Sequence, residues 1–212
     1  MSSANVLILV GTHCQHCAPV LSSLAEMVKE GVIAQLEVVN VEKRPEIAAE
    51  LSVQSVPWLR IGWFELEGVR TKPELTRWAE LAESAEGVSQ YYKEILAQGK
   101  VRQCLGFLKE RPETIASIFE LMSDTDEKIN VKLGIGVVME EYAPKDAFKA
   151  HIPRLIEFLA HDDPRLRLDA CHYLSLTNNP DIIRYIKPLL KDSDDDVREE
   201  AGECLEAIEA AK

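Results

Sequence analysis

Apolar and polar positions change their spacing several times in the first part of the chain. The apolar run Val6–Val10 is bounded by polar residues and predicts a short buried strand. From Pro19 to Glu30 the apolar residues recur at helical spacing, and Gly31 then predicts the end of this helix. The segment Ile33–Val41, which is rich in Val, Ile and Leu, predicts a second strand.

The segments that follow predict a short helix, a hairpin and a closing helix. Pro45 opens a helical segment that ends before Val53, and the last helix begins near Lys72. Two short apolar stretches separated only by Gly62 are typical of a β-hairpin; they are Trp58–Ile61 and Trp63–Leu66. The order β-α-β-α-β-β-α predicts an α/β domain over residues 1–86, with a mixed four-stranded sheet and helices on both faces.

After residue 86 the pattern is helical, and residues 87–212 are predicted to form a second, all-α domain. Val88–Gln98 and Val101–Glu110 have helical spacing. Further along, the sequence repeats a unit made of a helix, an acidic turn and a second helix. In the second helix Val or Ile, Ala and Leu face inward. The copies of this unit are Leu159–Ala170, Leu190–Ala201 and the looser Leu121–Ile129. Such repetition predicts stacked helical hairpins, because no single copy can bury its apolar face alone.

Composition and charge narrow the possible partners. A hydrophobic content of 46% with 28% charged residues is typical of a globular protein. The formal net charge of −12 argues against nucleic acid and against an anionic membrane surface, because both need clustered Lys and Arg. The start of the chain has no basic segment, and no apolar run approaches the roughly 20 residues of a membrane span. We therefore expect a cytoplasmic protein.

The five cysteines fall into two kinds. Cys104, Cys171 and Cys204 lie in apolar helical stretches, where cysteine is usually a small core residue. Cys14 and Cys17 instead lie three residues apart, where the first strand gives way to a helix. The unpaired N–H groups and the dipole at a helix N-terminus favour an anion. We therefore expect a nucleophilic thiolate at Cys14.

Two histidines, His13 and His16, accompany these cysteines and raise the question of a metal. Ligands this crowded in sequence cannot readily close a tetrahedron, and no second ligand pair follows at the usual spacing. We therefore predict no metal site at these residues. The alternative that the residues leave open is an Fe–S cluster shared between two copies of the chain.

Two motifs carry a resemblance to a known family. They are Cys14-Gln15-His16-Cys17 between a strand and a helix, and Ser55-Val56-Pro57-Trp58 about forty positions later. With them, the first domain resembles the short form of the thioredoxin fold, as in glutaredoxin-like proteins and the halves of protein disulfide oxidoreductases. The resemblance implies a cis bond before Pro57 beside the cysteines, and a Val56 backbone that pairs with a substrate strand. We also place Trp58 among the substrate-binding residues, together with His13, which stands where thioredoxin has Trp.

The sequence departs from the thioredoxins proper at Ile8. In them this position is a buried acid that helps to deprotonate the second cysteine; Glu42 and Glu65 are the candidate substitutes here. His16 precedes Cys17 as in protein disulfide isomerase, and this resemblance implies a stabilised dithiol form and a more oxidising disulfide. Ile8 therefore argues against efficient reduction of client disulfides, whereas His16 favours oxidation of client dithiols.

The repeated acidic turn carries a second resemblance. The turn Asp192–Asp196 followed by Val197-Arg198 is similar to that of HEAT repeats, and the resemblance covers about Pro112–Ala211. It implies an extended surface for a protein partner, without chemistry of its own. We expect Asp124, Asp192 and Asp194 to be helix N-caps and turn formers, and Arg167 and Arg198 to form hydrogen bonds between repeats.

These features predict a thiol–disulfide oxidoreductase that acts on protein dithiols or disulfides, while its HEAT-like repeats recruit a partner protein. Cys14 attacks the substrate disulfide and Cys17 resolves the mixed disulfide. No organic cofactor is needed, since the electrons reside in the sulfurs. The alternatives are a redox-sensing adaptor that does not turn over, which the missing acid at Ile8 favours, and an Fe–S or metal carrier.

Overall fold

A computed structural model describes residues 4–124 and 126–210. The chain divides into two compact units, residues 1–91 and 92–212. The predicted boundary between residues 86 and 87 stays a prediction. The predicted domains 1–86 and 87–212 reach beyond the described residues at 1–3, 125 and 211–212. Thr125 in the looser repeat copy and Ala211 at the end of the HEAT-like region also lie outside the described residues.

The first unit contains a four-stranded sheet. Its strands are β1 (Ala4–Val10), β2 (Ile33–Asn40), β3 (Trp58–Ile61) and β4 (Phe64–Glu67). Their order across the sheet is β2-β1-β3-β4, with β1 parallel to β2 and antiparallel to β3. Strands β3 and β4 form an antiparallel hairpin. The sheet is therefore mixed, which confirms the prediction from the order of elements.

Helices precede and follow these strands along the chain. They are α1 (Cys17–Lys29), α2 (Pro45–Glu50), α3 (Lys72–Leu81) and α4 (Ala85–Ala97). Helix α1 begins two residues before the predicted start at Pro19, and proline is compatible with the first turn because its missing N–H has no partner there. The buried residues of α1 have the spacing of one helical face: Cys17, Val20, Leu24 and Met27.

A buried cluster on one face of the sheet holds the segment before β3 in place. Leu9, Val39 and Trp58 form this cluster, and Val56 and Ile47 pack against it. Leu9 is in β1, and β1 leads directly into the loop that carries Cys14. The packing therefore fixes the chain before β3 beside the end of β1, where that loop begins.

In its described residues the second unit consists of helices joined by turns and loops, without a strand, which confirms the predicted all-α region. Its helices after α4 are α5 (Val101–Glu110), α6 (Ile115–Ser123), α7 (Ile129–Tyr142), α8 (Ile152–Phe158), α9 (Pro164–Ser175), α10 (Ile183–Ile186) and α11 (Asp195–Ala210). Short 3₁₀ segments connect several of them. Helix α9 packs against α8 and against α11. The three cysteines of this unit are free and buried, as predicted.

Two acidic turns cap the helices that follow them. The Asp163 carboxylate accepts a hydrogen bond from the backbone N–H of Arg165 at the start of α9 (2.9 Å). The Asp194 carboxylate accepts from the backbone N–H groups of Asp196 and Val197 at the start of α11 (3.1 and 3.2 Å). These three bonds satisfy N–H groups that have no partner inside the helix, and the predicted capping role is confirmed for Asp194. Asp192 and Asp124 are turn residues instead: they accept from the backbone N–H groups of Asp194 (2.9 Å) and Asp126 (3.0 Å), and neither caps the helix that follows.

The two turn arginines behave differently. Arg167 donates to both carboxylate oxygens of Asp192 (2.6 and 2.8 Å), which confirms its predicted bond between repeats. It also donates to the carbonyls of His161 and Asp162 (2.8 and 3.0 Å). The same prediction for Arg198 is wrong, because its guanidinium folds back over its own turn and donates to the Asp192 carbonyl (2.7 Å).

Candidate functional site

The two cysteines of the motif lie at the junction of β1 and α1. They are joined by a disulfide, with their Cα atoms 5.4 Å apart. Helix α1 begins at Cys17, whose backbone N–H donates to the Cys14 carbonyl (3.2 Å), so Cys14 lies in the turn that precedes the helix. Cys17 is only 4% exposed, whereas Cys14 is half-buried. An attacking thiol therefore reaches Cys14 more easily than Cys17.

The segment before β3 lies against Cys14. The Val56–Pro57 peptide bond is cis. The Cys14 sulfur lies 3.8 Å from the carbonyl oxygen of Val56. Residues more than forty positions apart are thus brought together by the packing of Val56 beside the end of β1. The arrangement places a stretch of backbone next to the more exposed sulfur.

Trp58 does not line this site. Its side chain is 2% exposed and packs with Leu9 and Val39 in the sheet cluster. The Arg60 guanidinium lies 5.4 Å from the centre of the Trp58 ring. The structure therefore gives Trp58 a core position, and we leave its side chain out of the substrate-binding set.

His13 and His16 are both exposed on the cysteine loop. His16 occupies the N-cap position of α1, without a capping hydrogen bond from its side chain. The electrostatic effect of His13 on the Glu42 carboxylate is to lower the pKa of that carboxyl group. The structure thus brings both histidines to the site at its solvent-facing side.

A short polar network ties the cysteine loop to the end of β2. The backbone N–H of Thr12 donates to the Glu42 carboxylate (2.8 Å), and the Asn40 amide donates to the Thr12 hydroxyl (3.1 Å). The backbone N–H of Glu42 donates in turn to the Asn40 side chain (2.9 Å). Hydrogen bonding from the Thr12 side chain, and then from its backbone, lowers the pKa of Glu42. A negative charge therefore stays beside the loop through the neutral range.

The two candidate substitutes for the missing acid lie in different places. Glu65 accepts a hydrogen bond from Arg60 across the β3–β4 hairpin (2.7 Å). Glu42 belongs to the loop network, so it is the candidate carboxylate that the structure brings to the cysteine loop. Ile8 is completely buried, and no carboxylate is fully buried in the described part of the first unit.

Gly11 lies beside Val56, Glu42 and Cys14 in the same site. A Cβ atom built there would lie 3.4 Å from a methyl carbon of Val56 and 3.5 Å from a Glu42 carboxylate oxygen. It would also lie 3.7 Å from the Cys14 Cβ. These are ordinary contact distances, so a methyl group fits at this position, whereas a larger side chain would press on its neighbours. No sequence motif marks Gly11, Thr12 or Asn40, so the sequence alone does not predict a role for them.

Among the described residues, no three His, Cys, Asp or Glu side chains are grouped so that they could hold a metal ion. None of the described helices has both the length and the apolar character required to cross a membrane.

The fold and the site together define a thioredoxin-like domain with its cysteine pair at the strand–helix junction. Comparison with family models agrees, because residues 4–80 match the thioredoxin domain model. Residues 152–212 match the model of HEAT repeats. The chain therefore joins a thioredoxin-like domain to HEAT-like repeats, as the sequence predicted. The looser copy Leu121–Ile129 lies outside the matched range. Comparison with curated proteins gives no match.

Proposed function

We propose that the chain is a thiol–disulfide oxidoreductase that acts on protein dithiols or disulfides. The single observation that carries the proposal is the pairing of a half-buried Cys14 with a buried Cys17, beside the backbone of Val56. The helical repeats would bind a protein partner. The cytoplasm is the proposed location, and the domains are proposed to span residues 1–86 and 87–212.

In the oxidising direction, a client thiolate attacks the Cys14 sulfur. The bond between the two sulfurs of the pair breaks, and Cys17 leaves as a thiolate that takes up a proton. A second client thiolate then attacks the client sulfur of the mixed disulfide, and Cys14 leaves as a thiolate. The client dithiol has lost two electrons, and the Cys14–Cys17 pair has gained them. Reduction of a client disulfide is the same sequence in reverse.

The backbone around Val56 is proposed to hold the client. An extended client segment would pair with the N–H and C=O groups of Val56, and Pro57 would shape this edge. Such pairing would bring a client sulfur to Cys14, because the Val56 carbonyl already lies 3.8 Å from the Cys14 sulfur. His13, which is exposed on the same loop, would face the client from the other side of the cysteine pair.

His16 is proposed to tune the direction of the reaction. It is exposed at the N-cap of α1, directly before Cys17. A positively charged imidazole at this position would stabilise the Cys14 thiolate and therefore the dithiol form. The disulfide form would then be the stronger oxidant, which favours oxidation of client dithiols.

The proposal is tested by insulin reduction and by oxidation of a dithiol peptide with the full chain. Both activities should disappear in Cys14→Ser and persist in Cys104→Ala, which removes a buried cysteine of the helical unit instead. Cys17→Ser should retain a client in a mixed disulfide with Cys14. Unchanged turnover in Cys14→Ser would refute the proposal.

A redox-sensing adaptor is the second candidate, and the buried Ile8 in place of an acid favours it. A sensor would bind its partner in one redox state only, whereas a catalyst would bind clients transiently in both. Partner affinity measured with and without reductant separates these two functions.

A further inference from the structure

Helix α7 has apolar residues on both of its faces. Its inner face is buried, with Val131, Ile135, Val138 and Met139 in the core. On the other face Ile129, Leu133 and Val137 are exposed to 61%, 62% and 43%. These three positions are four residues apart, so they form one stripe along the helix. A helix that is apolar all round is normally buried, and an exposed apolar stripe marks a place where another molecule binds.

The stripe borders a groove between α7 and α9. The groove has a volume of about 270 Å³, and Leu133, Gly136 and Val137 form its α7 side. Leu166 and Tyr173 of α9 lie opposite. A Cβ atom at Gly136 would lie 3.6 Å from the Tyr173 hydroxyl, so the glycine keeps the groove open between the two helices. The space suits apolar side chains that enter between α7 and α9.

Asp169, one of the charged residues of the groove, favours a cation in the partner. Three carboxylates and two cations line it: Glu140, Asp163, Asp169, Lys132 and Arg165. Asp169 is half-buried, and burial raises its pKa. Arg165 acts on Asp169 electrostatically from one helical turn away, but the carboxylate makes no hydrogen bond with any residue in the described part of the chain. A half-buried carboxylate without a donor is stabilised by a partner that supplies one.

We propose that this groove binds a basic amphipathic helix of a partner protein. Apolar side chains of that helix would lie against Leu133 and Val137, and a Lys or Arg beside them would donate to Asp169. The inference deepens the proposed function, since it rests on the proposed role of the repeats in binding a protein. A second copy of this chain is disfavoured as the occupant, because two chains with a net charge of −12 repel each other.

The probe is a labelled synthetic amphipathic peptide of leucine and lysine, and fluorescence anisotropy with the full chain near physiological ionic strength reports its binding. The double variant Leu133→Gln/Val137→Gln should weaken binding about tenfold or more. Both side chains are exposed, so the fold should persist. The matched control is Leu190→Gln, which changes a 45% exposed leucine outside the groove and should keep the wild-type affinity. Asp169→Asn should weaken binding and reduce its dependence on salt.

Several outcomes would overturn the proposal. One is equal binding by the wild type and the double variant, which would mean that the peptide responds only to the overall charge. Equal binding of a leucine–glutamate peptide would remove the role of Asp169. Self-association that the double variant abolishes would assign the groove to a second copy. The peptide contains no cysteine, so a failure of thiol exchange leaves this measurement unaffected, and a failure to bind the peptide leaves the redox proposal standing.

Discussion

The carboxylate of Glu42 accepts a hydrogen bond from the backbone N–H of Thr12 at 2.8 Å, and this bond links the end of β2 to the loop that carries Cys14. Asn40 reinforces the link by donating to the Thr12 hydroxyl. A carboxylate is therefore held beside the cysteine loop, although the buried position that holds one in the thioredoxins proper is Ile8 here. Because Glu42 lies at the surface, we expect it to position the loop and to tune the thiol rather than to act as a buried base.

Glu42→Gln tests the charge of this link. The glutamine side chain keeps an oxygen that can accept from Thr12, but the negative charge beside the loop is lost. Removing that charge favours the Cys14 thiolate of the dithiol form, so the disulfide should become more oxidising. At an exposed site we expect a shift of roughly 10 mV toward a less negative reduction potential. Equilibration with glutathione buffers measures the potential.

Glu37→Gln is the matched control for this prediction. It removes the same charge from an exposed position of β2 that is in register with Leu7, away from the cysteine loop. Its potential should equal that of the wild type. An equal shift in both variants would mean that only the net charge of the chain matters.

Substitutions at Gly11 test whether the cysteine loop must stay close to Val56 and Glu42 for thiol exchange. A single Cβ fits there at ordinary contact distances, so Gly11→Ala should keep most of the exchange activity. The additional methyl groups of Gly11→Val would press on Val56 or Cys14 and displace them. A small misplacement at a reacting centre is costly, and we expect the rate of thiol exchange to fall about tenfold. The thermal midpoint should be recorded for both variants, since a loss of rate that follows a loss of folding would contradict this explanation.

The cysteines of the two units should differ in reactivity. Burial raises the pKa of the Cys104 thiol to about 12, so almost no thiolate is present at neutral pH. A hydrogen bond with Cys171, and then burial, raises the pKa of Cys204. After reduction of the native protein, iodoacetamide should modify Cys14 first and leave the three cysteines of the helical unit intact.

Mass spectrometry of the digested protein locates the alkylated residues. The same treatment in guanidinium should modify all five cysteines, which shows that burial and not chemistry protects them. Rapid alkylation of Cys171 or Cys204 in the native protein would contradict the packing of α9 against α11.

Much of the fold follows from local patterns in the sequence. Val6–Val10 is a continuous apolar run, whereas the apolar residues of Ile33–Val41 are interrupted by polar ones. Each segment forms a strand whose ends differ from the prediction by no more than two residues. The hairpin was placed correctly, but its second strand starts at Phe64 rather than Trp63. Trp63 is needed with Gly62 in the turn, and apolar content alone does not distinguish a turn residue from the first residue of a strand.

Less of the candidate site than of the fold can be predicted from the sequence. The cysteine pair and the Val56–Pro57 segment belong to motifs, so their meeting could be predicted. The network of Thr12, Asn40 and Glu42 could not, because these polar residues are common in loops and acquire their partners only when β2 and the loop meet. The predicted substrate-binding role of Trp58 does not agree with the structure, because β3 directs its side chain into the core.

The link between repeats gives a prediction about stability and pH. Arg167 donates two hydrogen bonds to Asp192 and two more to backbone carbonyls, and both charged side chains are only 11% exposed. Arg167→Met should lower the free energy of unfolding by about 1.5–3 kcal/mol, the range for hydrogen bonds to charged groups. Arg154→Met is the matched control, because its ion pair with Glu157 is exposed and should contribute less than about 1 kcal/mol. Urea unfolding followed by circular dichroism measures both.

The same pair sets the sign of a pH dependence. The hydrogen bonds from Arg167 lower the pKa of Asp192 to about 2, whereas the pKa of an aspartate in the unfolded chain is about 3.9. Because this pKa is lowered by folding, the ionised carboxylate stabilises the fold above about pH 4. That stabilisation is lost as the carboxylate is protonated on the way down to pH 2. The wild type should therefore lose more stability than Arg167→Met between these two values. Parallel pH profiles for the two proteins would show that the Arg167–Asp192 pair does not hold the repeats together.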